Sequence, residues 1–383
     1  MNMNYRFLIV LSFAAMFLFP AFSNAQNQGM GDRPGIVSPN DVAKDIQTYN
    51  DQRKELGKAL FYNFNEMYKE SFPKLKELTQ QENPVAAYYY AECLYNGWGT
   101  FPPDKPKAKA IWAQVIDKIR AMTRDGDGLV AYTMYQVYNN GYAVPKDDQR
   151  ARRFLEYSIN KGYGLAIFDK ARRQEEEGQY ADAIATYLDA AKKGNPEANF
   201  RLGYIYETGE RGLQQDYKLA LTYYSNAAAY GHIKAQANLG NLYYNGLGTE
   251  QNYQEALSLF QKAAEKENPA AMNSLGVMYL KGEAGLREDS KMALIYFMKA
   301  SHLGDENAYN NLGNMYFNGI GVKEDKTKAF DYYHLAAAKK NPEAMYKVAY
   351  MLENGIGVQA NKNRADAWYK ALEKEGYEIS DFQ

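Results

Sequence analysis

The sequence predicts an all-α fold, a solenoid of stacked helix-turn-helix units, on three observations. The stretch NLGNLYYNGLG at 238–248 returns almost unchanged as NLGNMYFNGIG at 311–321. A glycine inside a helical pattern, Gly203, Gly240, Gly276 and Gly313 followed by Ala349, recurs at spacings of 37, 36, 37 and 36. Independently, Ala220, Ala256, Ala293, Ala329 and Ala365 recur at 36, 37, 36 and 36. Two rulers of one period, set on different parts of the unit, define a repeat of helix, loop and helix.

In chain order, residues 1–25 read as a secretory signal peptide: Arg6, an apolar run from Phe7 to Phe22, and Ser23-Asn24-Ala25 with small residues at the cleavage positions. The run is short for a retained span of about 20 residues and lacks a basic stop-transfer flank. A mature chain without a transmembrane segment, periplasmic or secreted, is the expectation. Residues 26–37, rich in glycine and amides, read as a flexible leader. Residues 38–82 carry helical periodicity, end in QENP, and are expected to form an N-terminal helical cap. The repeats then occupy 83–377, with 378–383 as a C-terminal tail.

Within each unit the first helix sets alanine, leucine and tyrosine on one face, as in AQANLGNLY and AYNNLGNMY. A mid-helix glycine costs about 0.5–1 kcal/mol against alanine, so its recurrence calls for a close neighbour. Gly246 and Gly248, or Gly319 and Gly321, close that helix. Asp216, Asn252, Asp289, Asp325 and Asn361 each stand four residues before the ruler alanine and are expected to cap the second helix rather than to catalyse. Earlier units keep Asp104 and Asp147 there but place Ala91 and Tyr135 at the glycine position. Residues 164–195 lack the long glycine loop.

The stretch AYNNLGNMYFNGIGVKEDKTKAFDYYHLAA resembles the Sel-one-like repeat pattern almost letter for letter. That family is a branch of the tetratricopeptide-like superfamily. The resemblance covers about residues 83–377, with 164–195 similar to a plain tetratricopeptide unit through Gly178, Tyr180, Ala183 and Tyr187. It implies a right-handed α-α superhelix with the first helices on the concave side. By the same resemblance, Tyr204, Asn241, Tyr244, Asn245, Asn273, Asn310, Asn314, Phe317, Asn318, Tyr346, Tyr350 and Asn354 face the groove. Earlier units add Tyr88, Glu92, Tyr95, Tyr132, Gln136 and Asn139.

Chemistry is sparse. The histidines are three, His232, His302 and His334, none in a metal-ligand spacing, so no catalytic residue, metal or cofactor is expected. His232 and His302 fall near the ends of second helices, where the negative helix terminus suits them. The lone Cys93 permits no intramolecular disulfide. A net charge of −1 without like-charge runs disfavours nucleic acid. Tyrosines number 35, too many for core positions alone. Asparagine offers donor and acceptor without charge and tyrosine adds stacking area. The expected function is a secreted or periplasmic scaffold that holds an extended segment of another envelope or secreted protein in the groove. Two other readings stand beside it. The amides could simply brace neighbouring units. Through cysteine-rich relatives of the resembled family, the chain could instead be a cell-wall-active protein that binds or hydrolyses a peptidoglycan-like or β-lactam ligand. The oligomeric state is left open.

Overall fold

A computed structural model of the chain describes residues 47–64, 68–98 and 102–382. The proposed signal and leader lie outside these residues, as does the start of the cap. The described residues are helical throughout, in antiparallel pairs. Helical residues 47–51 lead into α1 (Arg53–Phe64) and α2 (Tyr68–Gln80). Next come α3 (Pro84–Asn96) with α4 (Lys105–Met122), α5 (Gly128–Asn140) with α6 (Asp148–Asn160), and α7 (Gly164–Glu176) with α8 (Tyr180–Lys192). The later pairs are α9 (Pro196–Thr208) with α10 (Tyr217–Ala229), α11 (Ile233–Asn245) with α12 (Tyr253–Glu265), and α13 (Pro269–Lys281) with α14 (Ser290–His302). The series ends with α15 (Glu306–Asn318) and α16 (Lys326–Ala338), α17 (Pro342–Asn354) and α18 (Lys362–Lys374), and a 3-10 turn, Ile379–Phe382. The two helices of each pair pack together, and the second packs on the first helix of the next pair.

The local signals act as their chemistry requires. Asp216, Asn252, Asp289, Asp325 and Asn361 all cap second helices, each side chain accepting from backbone N–H groups of the first turn. Asp104 and Asp147 do the same for α4 and α6. First helices have their own caps: Asn83, Asn195, Asn268 and Asn341, each followed by proline at the first helical position, where no N–H is needed. Gly246 and Gly319 close α11 and α15 in the left-handed region, both at φ 69°.

The mid-helix glycine makes room for a ring. A Cβ on Gly240 would lie 2.6 Å from Phe260, and on Gly313 2.4 Å from Tyr333, so the second helix of the same unit lays an aromatic side chain directly on the first helix's backbone. Gly203 and Gly276 meet Tyr224 and Phe297 in the same way. The conformational cost of glycine is thereby offset by a buried ring, each of those four being fully enclosed.

Candidate ligand groove

First helices of successive units bond directly to one another. Asn311 donates to Asn273 Oδ1 at 2.8 Å, Asn310 donates to Glu343 at 2.9 Å, and Lys347 Nζ reaches Asn314 Oδ1 at 2.6 Å. The residues expected to line the groove lie on α9, α11, α13, α15 and α17 at intervals of one turn or less. They divide into three groups, with Asn241 standing apart.

Three of the amides are braces. Asn273 and Asn314 accept from the following unit, and Asn314 also accepts from the Tyr333 hydroxyl at 2.7 Å. Asn310 is only 5 % exposed, its NH2 spent on Glu343 and its Oδ1 buried without a donor among the described residues, so it does not line an open groove. Asn245, Asn318 and Asn354 turn back on their own helices, donating to the carbonyls of Asn241, Asn314 and Tyr350 at 2.8–3.0 Å. Thr208 does the same with its hydroxyl in α9, so this last-turn position serves local structure. Asn241 is half-buried and its side chain holds no hydrogen bond among the described residues.

The aromatic positions form the remaining surface. Tyr204 lies under the Arg201 guanidinium at 5.2 Å, and Tyr244 accepts from Lys281 Nζ at 3.0 Å with its ring edge-on to Tyr253. Lys326 Nζ sits 3.5 Å from the centre of the Phe317 ring. At the last unit Tyr346 stacks on Tyr350 and on Phe382 of the terminal turn, while Tyr350 remains 42 % exposed.

The equivalent positions of the first units are filled from within. Phe64 of α1 packs edge-on against Tyr89 and Tyr132. Tyr88, Glu92 and Tyr132 are buried, which removes them from an open groove. Tyr95 stacks on Tyr142. Beneath them runs a polar network that sequence spacing did not join. Tyr132 donates to Asp169 at 2.8 Å and accepts from Gln136, Asn140 donates to Glu92 at 3.0 Å, and Arg173 donates to Asn139 at 2.8 Å. Burial pushes the Glu92 carboxyl up to about 7 despite the Asn140 bond, and burial likewise raises Asp169. Cys93 is buried beside it, its Sγ donating to Asn63 Oδ1 at 3.2 Å.

A second node joins α7 to α9. Glu175 accepts from Tyr187 at 2.8 Å, from Arg211 at 2.9 Å and from both Arg201 nitrogens. Burial works against its charge, but the bonds from Arg201, Arg211 and Tyr187 outweigh it and hold the carboxyl down at about 2. Neither node announces itself in sequence, since its members lie tens of residues apart; the clustered Arg172, Arg173 and Glu175 were the available signal.

His232 requires a correction. It caps the N-terminus of α11, its Nδ1 accepting from Ala235 at 3.1 Å, rather than serving the end of the helix before. Its proton is then on Nε2, 3.1 Å from Glu197, and its ring stacks on Phe200. It stands where Asn83, Asn195, Asn268 and Asn341, or Asp127 and Asp305, cap the first helices of other units. His302 does sit in the last turn of α14, against the Met298 carbonyl.

The Sel1 repeat family model matches residues 84–114, 121–163, 196–232, 233–268, 269–305, 307–341 and 342–377, passing over 164–195. Among solved structures the chain is similar to a Sel1 repeat protein from Oxalobacter formigenes, 31 % identical over 55 % of this chain and 85 % of that one, TM-score 0.49. It is also similar to c5321, a protective antigen of uropathogenic Escherichia coli with an SLR fold, 19 % identical over 89 % of this chain and 88 % of that one, TM-score 0.50. Curated relatives include the ERAD-associated E3 ubiquitin-protein ligase component HRD3B of Arabidopsis thaliana, 32 % identical over 155 residues. The chain spans 23 % of that protein's length, the match covering 40 % of the chain. Chitin synthase regulatory factor 3 of Schizosaccharomyces pombe is 26 % identical over 197 residues, 51 % of this chain and 20 % of that protein. The ring-bearing glycines and the caps of α10, α12, α14, α16 and α18 all fall inside the matched residues, and the chain belongs to the Sel1 repeat family.

Proposed function

We propose that this chain is a secreted or periplasmic scaffold that binds an extended segment of another envelope or secreted protein along the inner face of α9 to α17. The observation that carries the reading is the run of partly exposed rings and one unbraced amide there, Tyr204, Asn241, Tyr244 and Tyr350. Rings supply contact area at low entropic cost, and a free carboxamide pairs with a peptide backbone in either direction. The Sel1 repeat fold is a protein-interaction module without catalytic machinery of its own. Among the described residues no group of His, Cys, Asp and Glu is placed to hold a metal ion, and no helix is long and apolar enough to cross a membrane. Of the curated relatives, one is named as a ligase component and another as a regulatory factor, descriptions that suit proteins acting through other proteins.

The test separates bracing from binding. Asn314→Ala removes the acceptor of Tyr333 and Lys347 and is expected to lower stability by about 1 kcal/mol. Asn241→Ala is expected to leave the melting temperature equal or higher, because alanine is the better helix former. It should weaken binding of the partner captured by the wild-type chain by about 0.5–1.5 kcal/mol, measured by titration. Intact binding in both Asn241→Ala and Tyr244→Ala would end the groove reading.

A further inference from the structure

The solenoid meets itself. Lys69, near the start of α2, pairs with Glu267 at 2.6 Å, and Glu70 pairs with Lys266, the two partners lying just past the end of α12. Ten helices intervene between the first contact and its return. The charges are arranged in opposite order on the two strands of contact, Lys-Glu against Lys-Glu, so that one alignment satisfies both pairs. A slip of one residue brings like charges together, which is repulsive.

The backbone at Glu267 supplies a second, independent observation. This residue sits at φ 61°, in the left-handed region, where Gly194, Gly231 and Gly304 stand in other units at φ 78°, 80° and 84° and Glu82 and Lys340 at φ 64° and 66°. A side chain is disfavoured there, and glycine is the residue that relieves the strain. The chain accepts this conformation at the point where a carboxylate meets Lys69. Lys340, also left-handed at φ 66°, pairs instead with Glu375 of the neighbouring unit at 2.8 Å.

We propose that Lys69, Glu70, Lys266 and Glu267 form a salt-sensitive latch that closes the first turn of the solenoid and so sets how widely its inner face opens. All four side chains are partly exposed to solvent, from 32 to 56 %. Pairs of this kind are individually weak and are screened by salt, which makes the latch reversible rather than a permanent weld. It stands whether or not the inner face binds a segment, because its test reads shape alone.

Small-angle X-ray scattering of the chain at low and at molar salt is the measurement. The wild-type radius of gyration is expected to rise with salt. Lys69→Glu with Lys266→Glu sets four acids face to face and should give the larger radius already at low salt. Adding Glu70→Lys and Glu267→Lys inverts every charge and should restore the compact radius, with circular dichroism unchanged throughout. Glu267→Gly alone should expand the chain while leaving the melting temperature equal or higher, since it removes a carboxylate and a strained backbone together. An unchanged low-salt radius in either Glu267→Gly or the two-lysine variant overturns the latch, as does failure of the four-residue inversion to restore compactness.

Discussion

The first units and the last units share a backbone plan and use it differently. Between residues 49 and 166 the buried side chains form one continuous core dominated by large rings, among them Trp112, Tyr88, Tyr89 and Tyr135. From α9 to α16 each unit has a smaller core, rich in alanine, leucine and methionine, with a ring set against the helix glycine, while the last unit carries Ala349 in its place. In the first units, where the mid-helix residue is Ala91 or Tyr135, aromatic bulk crowds the inner positions, covered by Phe64 from α1. The lesson is that a position in a repeat has no fixed role. Its role depends on what the neighbouring unit, or a capping helix, lays over it.

The comparison is most sharply tested by removing one ring from each region. Tyr132→Ala deletes a buried ring and leaves Asp169 buried without its donor, and is expected to cost about 3–5 kcal/mol in a denaturant titration. Tyr350→Ala, at the exposed end, should change stability by no more than about 0.5 kcal/mol. Similar losses at both sites would abolish the distinction between filled and open ends.

Charge burial sharpens the contrast further. Glu92 is a carboxyl whose folded value stands near 7 against an ordinary 4.5, so the folded chain binds its proton more tightly. Its contribution to stability is therefore full below pH 4.5 and falls as pH rises toward 7. Glu92→Gln should be no more stable than wild type at acid pH but more stable at pH 8, by on the order of 3 kcal/mol. Thermal melts across that range would show the two curves diverging with pH; parallel curves would mean that Glu92 is not buried as described. Smaller again is the effect expected at the open end for Gly313→Leu. Its side chain would collide with Tyr333, and overpacking of this kind costs about 1–3 kcal/mol. An unchanged melting temperature would show that the ring slot is loose.

Legibility followed distance along the chain. The period, the Asp and Asn caps and the glycine stops were readable because each is satisfied within a few residues of itself, Asp216 by the N–H of Lys218 and Leu219 for example. What the recurrent asparagines do was not readable. Asn245 bonds four residues back while Asn314 bonds 33 residues ahead, and the same residue type at neighbouring positions gives no hint of the choice. His232 was misplaced because the end of one helix and the cap of the next are adjacent in sequence, and histidine suits both. The filling of the first units escaped for a different reason: Phe64 lies in the capping pair, outside any repeat pattern.

The single cysteine of the chain draws a final consequence from that filled region. Burial beside Glu92 pushes the Cys93 thiol up to about 12, so almost none of it is thiolate near neutrality, and thiolate is the form that attacks a disulfide. Buried and held as the thiol, Cys93 is a poor nucleophile for disulfide exchange in the folded chain. An accessible Cys93, revealed by alkylation, would instead report that the first units have opened.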